Sequence, residues 1–127
     1  DRGSRVPLIV RWPGTVESGT QCDDLVELAD FLPTFLEIAS APQPMQRIHG
    51  QSFLPQLRGE DAPSKEYVHI EYKKDRHIRT KDWIYTDKGT LTKVNEFGQP
   101  ENDPEEQNDQ TAVRDELRKI FASIDGV

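Results

Sequence analysis

The fold is decided by residues 66–94, which read EYVHIEYKKDRHIRTKDWIYTDKGTLTKV. Aromatic, aliphatic and β-branched side chains are concentrated there in four short runs, at residues 67–72, 77–80, 83–86 and 91–94. Polar turns such as Asp87-Lys88-Gly89 separate these runs, a spacing that is typical of strands joined by tight connections. Because strands joined by short turns pair antiparallel, the stretch predicts a four-stranded antiparallel sheet.

An amphipathic helix is predicted after the sheet, over about residues 109–124. The apolar side chains of this segment recur at helical spacing, at Val113, Leu117, Ile120, Phe121 and Ile124. Such a stripe needs an apolar surface to cover, and the sheet is the surface available in this half of the chain. We expect the helix to cover one sheet face and to bury Val68, Ile70, Ile78 and Ile84.

A strand is predicted before these elements, at residues 6–12. Its centre, Leu8-Ile9-Val10, is aliphatic without alternation, which is typical of strands buried on both faces of a parallel sheet. The dipeptide Pro13-Gly14 ends it as a turn. The strand therefore indicates an α/β core around it.

Two short helices are predicted between the strand and the sheet. The first spans residues 31–39, with Asp30 as its N-cap and Pro33 tolerated in its first turn. The second spans residues 52–58, with Pro55 in its first turn and Gly59 at its end. The predicted fold class is α+β. Residues 1–60 belong to an α/β core, and residues 61–127 form an antiparallel-sheet subdomain with a terminal helix.

Composition excludes several classes of function. With 16 Lys and Arg against 23 Asp and Glu, the net charge is 16 − 23 = −7, which disfavours nucleic acid as a partner. No apolar run approaches the length of a membrane span. The single cysteine, Cys22, excludes an internal disulfide and any C-x-x-C site. No catalytic motif is present, and no histidine pair has the spacing of a helical metal site. We therefore assign no catalytic residue and no metal ligand to this chain.

Five segments resemble, in order, signature segments of the type I, formylglycine-dependent sulfatases of the alkaline-phosphatase-like superfamily. They are GSRVPLIVRWPG at 3–14, DFLPT at 30–34, HGQSFLPQLRG at 49–59, IRTKDWIY at 78–85 and DPEE at 103–106. The resemblance covers nearly the whole chain and implies the C-terminal part of a sulfatase, with the strand at 6–12 in the large central sheet of the intact enzyme.

The resemblance also implies where the chemistry lies. Sulfatases use formylglycine, made from Cys or Ser in C/S-x-P-x-R, together with Ca²⁺ held by Asp and Asn oxygens. Cys22 precedes Asp23-Asp24 and does not match that motif, so the formylglycine and Ca²⁺ are expected outside this chain, which would be inactive alone. The family resemblance implies a periplasmic, secreted or lysosomal location.

The sheet subdomain of the family helps to form the lip of the substrate site. The resemblance places four residues of this chain as candidates to bind substrate there, namely Arg2, Arg5, His69 and Arg79. A sulfated small molecule or sugar is anionic, and arginine's planar fork suits its oxygens. The alternative is that Arg5 and Arg79 brace backbone and carboxylates, and that His69 is a satisfied histidine.

Two other functions stay open at this point. A phosphoryl or phosphonate hydrolase of the same superfamily would share the core strand and the metal chemistry. A free-standing acidic interaction module would belong to a different class. In either enzyme, the missing N-terminal domain is the expected partner, and without it residues 6–39 are expected to self-associate or to stay mobile.

Overall fold

The computed structural model describes residues 5–96, 98–101 and 110–125. The chain divides into two compact units. One unit is Pro7–Lys65, and the other combines Asp1–Val6 with Glu66–Val127.

The second unit contains the predicted four-stranded antiparallel sheet, which is confirmed. Its strands are β1 (Val68–Tyr72), β2 (Asp75–Arg79), β3 (Trp83–Thr86) and β4 (Leu91–Lys93). They pair in sequence order, β1-β2-β3-β4. Each connection is short, so the register follows directly from the turns.

One face of the sheet carries the core of this unit. Cross-strand neighbours share a face, and the register aligns His69 with Ile78, Ile78 with Tyr85, and Tyr85 with Leu91. Ile78 is fully buried, and Tyr85 and Leu91 are buried beside it. Together with Leu117 and Phe121 of the last helix they form the hydrophobic core.

The last helix, α3 (Thr111–Asp125), packs on that face as predicted. The rings of Tyr85 and Phe121 lie 5.8 Å apart between centroids. The remaining residues of the predicted stripe, Val113, Ile120 and Ile124, are partly buried against the same core. No helix in the described ranges combines the length and the apolar character needed to cross a membrane.

The predicted set of sheet residues under α3 was wrong in part. Val68 and Ile70 alternate with His69 along β1, and Val68 lies opposite Arg79, which lies opposite Ile84. These aliphatic side chains therefore point to the other face, away from Ile78. The prediction grouped aliphatic residues by hydrophobicity, whereas the pleat assigns them to faces by position.

The first unit contains both predicted short helices. A 3-10 turn (Leu28–Asp30) leads directly into α1 (Phe31–Ile38), whose buried positions are Pro33 and Thr34. The other predicted helix is reduced to a single turn, α2 (Leu54–Leu57). Gly59 follows with φ of +69°, a conformation that glycine adopts without penalty.

The predicted strand at residues 6–12 is absent from the structure. These residues have no ladder partner among the described strands, and Ile9 is 88% exposed. The predicted turn at Pro13-Gly14 is present, because the amides of Thr15 and Val16 donate to the carbonyl of Trp12. An extended segment becomes a strand only through inter-strand hydrogen bonds, and no strand is described in residues 7–65 to supply them.

Candidate functional site

Arg79, a predicted substrate residue, is buried on the sheet face that does not contact α3. It is 8% exposed. Its Nε donates to the carbonyl of Thr80 at 3.1 Å, and its Nη2 donates to the carbonyl of Gly98 at 2.9 Å. Burial, and after it the charge of Arg5, lowers the pKa of Arg79, yet a guanidinium remains protonated in proteins. Arg79 therefore places a permanent positive charge at this face and ties Gly98 to β2.

Arg5 lies against the same glycine. A Cβ on Gly98 would stand 2.7 Å from Cζ of Arg5 and 2.9 Å from its Nη1. Gly98 also has φ of +69°, where a side chain would be strained. The structure thus brings two of the predicted residues together, with Arg79 bound to the carbonyl of Gly98 and Arg5 packed over its Cα.

His77 is a member of this group that the sequence analysis did not select. It precedes Arg79 by two residues on β2, so both side chains point to the same face. Burial chiefly lowers the pKa of His77 below its usual 6.5, and the positive charge of Arg79 adds to the effect. In the sequence, the two-residue spacing of His77 and Arg79 within a predicted strand already indicated that they share a face.

These three side chains, Arg5, His77 and Arg79, form what we call the outer-face cationic cluster. At neutral pH its histidine is uncharged and able to donate or accept one hydrogen bond, while its arginines supply positive charge and planar donor forks. Such a group suits the oxygens of an anion. Its two guanidiniums stay protonated and cannot act as nucleophiles, which makes the cluster a candidate binding group.

His69 does not join this cluster. It lies on the face that packs against α3, opposite Ile78, and its ring meets that of Phe121 edge-on at 6.0 Å between centroids. Its Nε2 is buried and makes no hydrogen bond with the described residues. The remaining predicted residue, Arg2, lies outside the described residues, as does the DPEE segment at 103–106.

The described residues do not fit a Ca²⁺ site or a formylglycine. Calcium takes six to eight oxygen ligands, and no group of three or more His, Cys, Asp or Glu side chains converges within the described ranges. Cys22 is an exposed free thiol. We therefore derive no catalytic step from either group in this chain.

A second charged cluster lies in the first unit around Asp30, which is 1% exposed. Its carboxylate accepts hydrogen bonds from the amide of Gln51 at 2.7 Å, the amide of Glu27 at 2.9 Å and Nζ of Lys65 at 2.6 Å. Lys65 also pairs with the carboxylate of Glu27. Three donors of the same unit thus bind the buried carboxylate of Asp30, which gives the Asp30 cluster a structural role.

Asp30 occupies the N-cap position of α1, as predicted, but it does not cap the helix with its side chain. Its backbone is already helical, at φ −78° and ψ −17°, and its side chain makes no cap bond to α1. It instead closes a capping box with Glu27 around the 3-10 turn. The sequence showed a residue type that suits a cap, but the 3-10 turn before α1 takes up its side chain instead.

The segments around Asp30 and Gly50 are held together by further contacts. A Cβ on Gly50 would lie 1.9 Å from the carbonyl oxygen of Ala29, so only glycine allows this approach. The buried hydroxyl of Thr34 donates to the carbonyl of Asp30 at 2.6 Å and accepts from the amide of Phe53 at 3.1 Å. Two of the sulfatase-like segments, 30–34 and 49–59, thus form one junction.

Comparison with known proteins agrees with these segments. Residues 1–124 match the family described as N-sulphoglucosamine sulphohydrolase, C-terminal. An ulvan-active sulfatase of Formosa agariphila is 41% identical over 69 residues, which cover 54% of this chain and 14% of that protein. Human arylsulfatase D is 32% identical over 104 residues, which cover 81% of this chain and 17% of that protein.

A solved structure shows the same fold. A crystal structure of a sulfatase candidate from Bacteroides thetaiotaomicron matches with a TM-score of 0.54 at 23% identity, over 74% of this chain and 23% of the other. The chain thus spans less than a fifth of the two curated relatives described above. By its family match over residues 1–124, the chain belongs to the sulfatases, as part of their C-terminal region.

Proposed function

We propose that this chain is the C-terminal part of an enzyme that hydrolyses sulfate esters, with the nucleophile and metal ligands outside these residues. The family match and the sulfatase relatives support this assignment. In this proposal, Ca²⁺ and formylglycine belong to a preceding domain of the enzyme. Alone, the chain is expected to be inactive.

We propose further that the outer-face cationic cluster contacts the anionic substrate. The observation that carries this proposal is that Arg5 and Arg79 both lie against Gly98. Arg79 donates two hydrogen bonds to backbone carbonyls, so it holds the cluster in place and supplies positive charge. Arg5 is exposed and is the proposed direct contact to the ligand. Arg2 and His69 stay predictions.

The preceding domain is proposed to cover the exposed apolar surface of the first unit. Ile9 is 88% exposed and Phe35 is 59% exposed, and large apolar patches on monomers generally mark contact surfaces. In the isolated chain, the same surface supports self-association through residues 6–39.

The test uses the intact enzyme and an aryl sulfate. Arg5→Ala and His77→Ala are expected to lower kcat/KM, chiefly by raising KM, because both remove groups that hold the anion. The matched control is Arg58→Ala, since Arg58 has a half-exposed side chain that only pairs with Glu60 at 3.8 Å. This control removes the same charge and is expected to leave kcat/KM unchanged.

Arg79→Lys separates binding from bracing. A lysine keeps the charge and loses the fork, so a fall in Tm with unchanged KM would assign Arg79 to bracing alone. If the enzyme hydrolyses an aryl phosphate faster than the aryl sulfate, the proposed sulfatase activity is wrong and the alternative, a phosphoryl hydrolase, is supported. Turnover by the isolated chain above a heat-denatured control would refute the proposed location of the catalytic groups.

A further inference from the structure

The sheet of the second unit has two edges, and described residues cover only one of them. At β4 the chain returns along the strand, so that Pro100 forms a bridge with Val94 and the amide of Glu101 donates to the carbonyl of Lys93 at 2.8 Å. At the opposite edge, no described strand pairs with the outer side of β1. An unpaired edge of this kind is a template for a strand from another chain.

Strand β1 lacks the usual features that protect an edge. Proteins protect edge strands with proline, lysine or a β-bulge. The sequence of β1, VHIEY, contains neither proline nor lysine, and its register with β2 is continuous over all five residues, without a bulge. Its side chains are largely of the β-branched and aromatic types that favour strands. The edge of β1 is therefore regular enough to pair.

The hydrogen bonds of β2 define which backbone groups of β1 point outward. The carbonyl of Arg76 accepts a hydrogen bond from the amide of Asp87 at 3.0 Å, so Arg76 bonds on the β3 side. Successive residues of a strand bond to opposite neighbours, so His77 bonds on the β1 side, where its partner is Ile70. The amides and carbonyls of the two residues that flank Ile70 consequently point away from the sheet.

We propose that two copies of the protein associate through β1, antiparallel about a two-fold axis at Ile70, and thereby form one continuous sheet. In this register, the outward backbone groups of His69 meet those of Glu71 of the second copy, and the symmetry repeats the contact. Val68 lies opposite Tyr72 of the second copy, a pairing of β-branched and aromatic side chains that stabilises sheets. Tyr72, which is 68% exposed in the single chain, is covered in the pair.

The charges at the two ends of β1 favour this arrangement. Glu66 precedes the strand and Lys74 follows it, and both are exposed. Within the described part of the chain, no ion pair engages either of them. The antiparallel register about Ile70 places Glu66 of each copy beside Lys74 of the other. A parallel arrangement would bring like charges together, and an axis at Glu71 would oppose two carboxylates, which is destabilising.

This surface is distinct from the apolar surface of the first unit, which the preceding domain is proposed to cover. Association through β1 is therefore expected in the intact protein as well. It does not depend on the proposed sulfatase activity, and hydrolysis of an aryl sulfate tests that activity separately.

A disulfide at the symmetry axis tests the register. The intact protein carries Ile70→Cys in a Cys22→Ser background and is oxidised. Antiparallel partners that do not exchange hydrogen bonds have Cα atoms about 4.5 Å apart, within the range of about 4.4–6.8 Å for a disulfide. We expect a covalent dimer in which mass spectrometry joins two peptides that contain position 70. The matched control is Tyr72→Cys in the same background, because its two copies would lie about 13 Å apart along the strands and should cross-link little despite greater exposure.

A charge exchange tests the orientation, with the dimer Kd of the intact protein measured by analytical ultracentrifugation. Glu66→Lys and Lys74→Glu are each expected to raise Kd about tenfold, because each creates two like-charged pairs by symmetry. A mixture of the two variants restores opposite charges in the heterodimer, so its Kd should return to within about twofold of the parent value. The matched control exchanges the exposed charges of α3, with Asp115→Lys and Lys119→Glu, and should change Kd less than about twofold.

Three results would overturn the proposal. The first is a parent protein that stays monomeric at all concentrations. The second is equal cross-linking of Ile70→Cys and Tyr72→Cys, which would indicate random collision. The third is a mixture of Glu66→Lys and Lys74→Glu that associates no better than either variant alone, since a structural effect of the substitutions would not be reversed by mixing.

Discussion

Replacing Asp30 by alanine is expected to destabilise the first unit by about 3 kcal/mol. Removal of one partner from a buried ion pair costs about 3–5 kcal/mol. The lower end applies here because Lys65, whose side chain is 13% exposed, keeps Glu27 as a partner. The part-buried amide of Gln51 loses its acceptor as well; a fully buried unsatisfied donor costs about 1–3 kcal/mol, and water reduces that cost here. These two costs overlap and are not summed.

Hydrogen exchange followed by mass spectrometry is the assay that resolves the change. A loss of about 3 kcal/mol corresponds to roughly a hundredfold increase in the population of open states. Peptides covering residues 48–58 should lose protection by up to that factor. Residues 83–86 of the sheet serve as the internal reference.

The matched control is Glu60→Ala, which removes a carboxylate from an exposed pair with Arg58. Surface pairs contribute about 0–1 kcal/mol, so this variant should exchange like the parent chain. Gly50→Ala provides an independent route, since its Cβ would collide with the backbone of Ala29. Its counterpart Gly59→Ala meets open space and has only an unfavourable φ to overcome. Equal protection in Asp30→Ala and Glu60→Ala would refute the assignment of Asp30 to the junction.

Two further predictions concern the sheet unit. Phe121→Ala should lower the free energy of unfolding by about 3–5 kcal/mol, because loss of a buried aromatic ring leaves a cavity. Phe35 is exposed, so Phe35→Ala should lower it by less than about 1 kcal/mol. Urea titration measures both values, and equal values would show that Phe121 is not part of the core. Because the folded pKa of His77 is depressed, the folded state binds its proton less well than the unfolded state does. The contribution of His77 to stability is therefore complete above about pH 6.5, the ordinary value, and is lost as pH falls through the folded pKa. The stability difference between the parent chain and His77→Gln should change between pH 7.5 and 5.5, and a constant difference would show that His77 is not buried in solution.

The sequence by itself determined the secondary structure of the second unit and the family. Runs of β-branched and aromatic residues separated by polar turns specify a meander, because short connections leave adjacent strands only one way to pair. The apolar stripe of α3 could also be predicted from the sequence, because residues at helical spacing lie on one face of the helix. The five sulfatase-like segments indicated the family, but the sequence did not show the structural role of each segment.

Only the tertiary structure decided which charged residues come together. Arg79 and His69 lie on neighbouring strands, yet register places them on opposite faces, so one joins Arg5 and the other packs on Phe121. Asp30 suits a helix cap in sequence, but its partners Gln51 and Lys65 lie far along the chain. Local patterns encode which backbone conformation a segment adopts. Faces and long-range partners depend on register and packing, which are properties of several segments at once, and a strand such as the one predicted at residues 6–12 exists only where a neighbour supplies its hydrogen bonds.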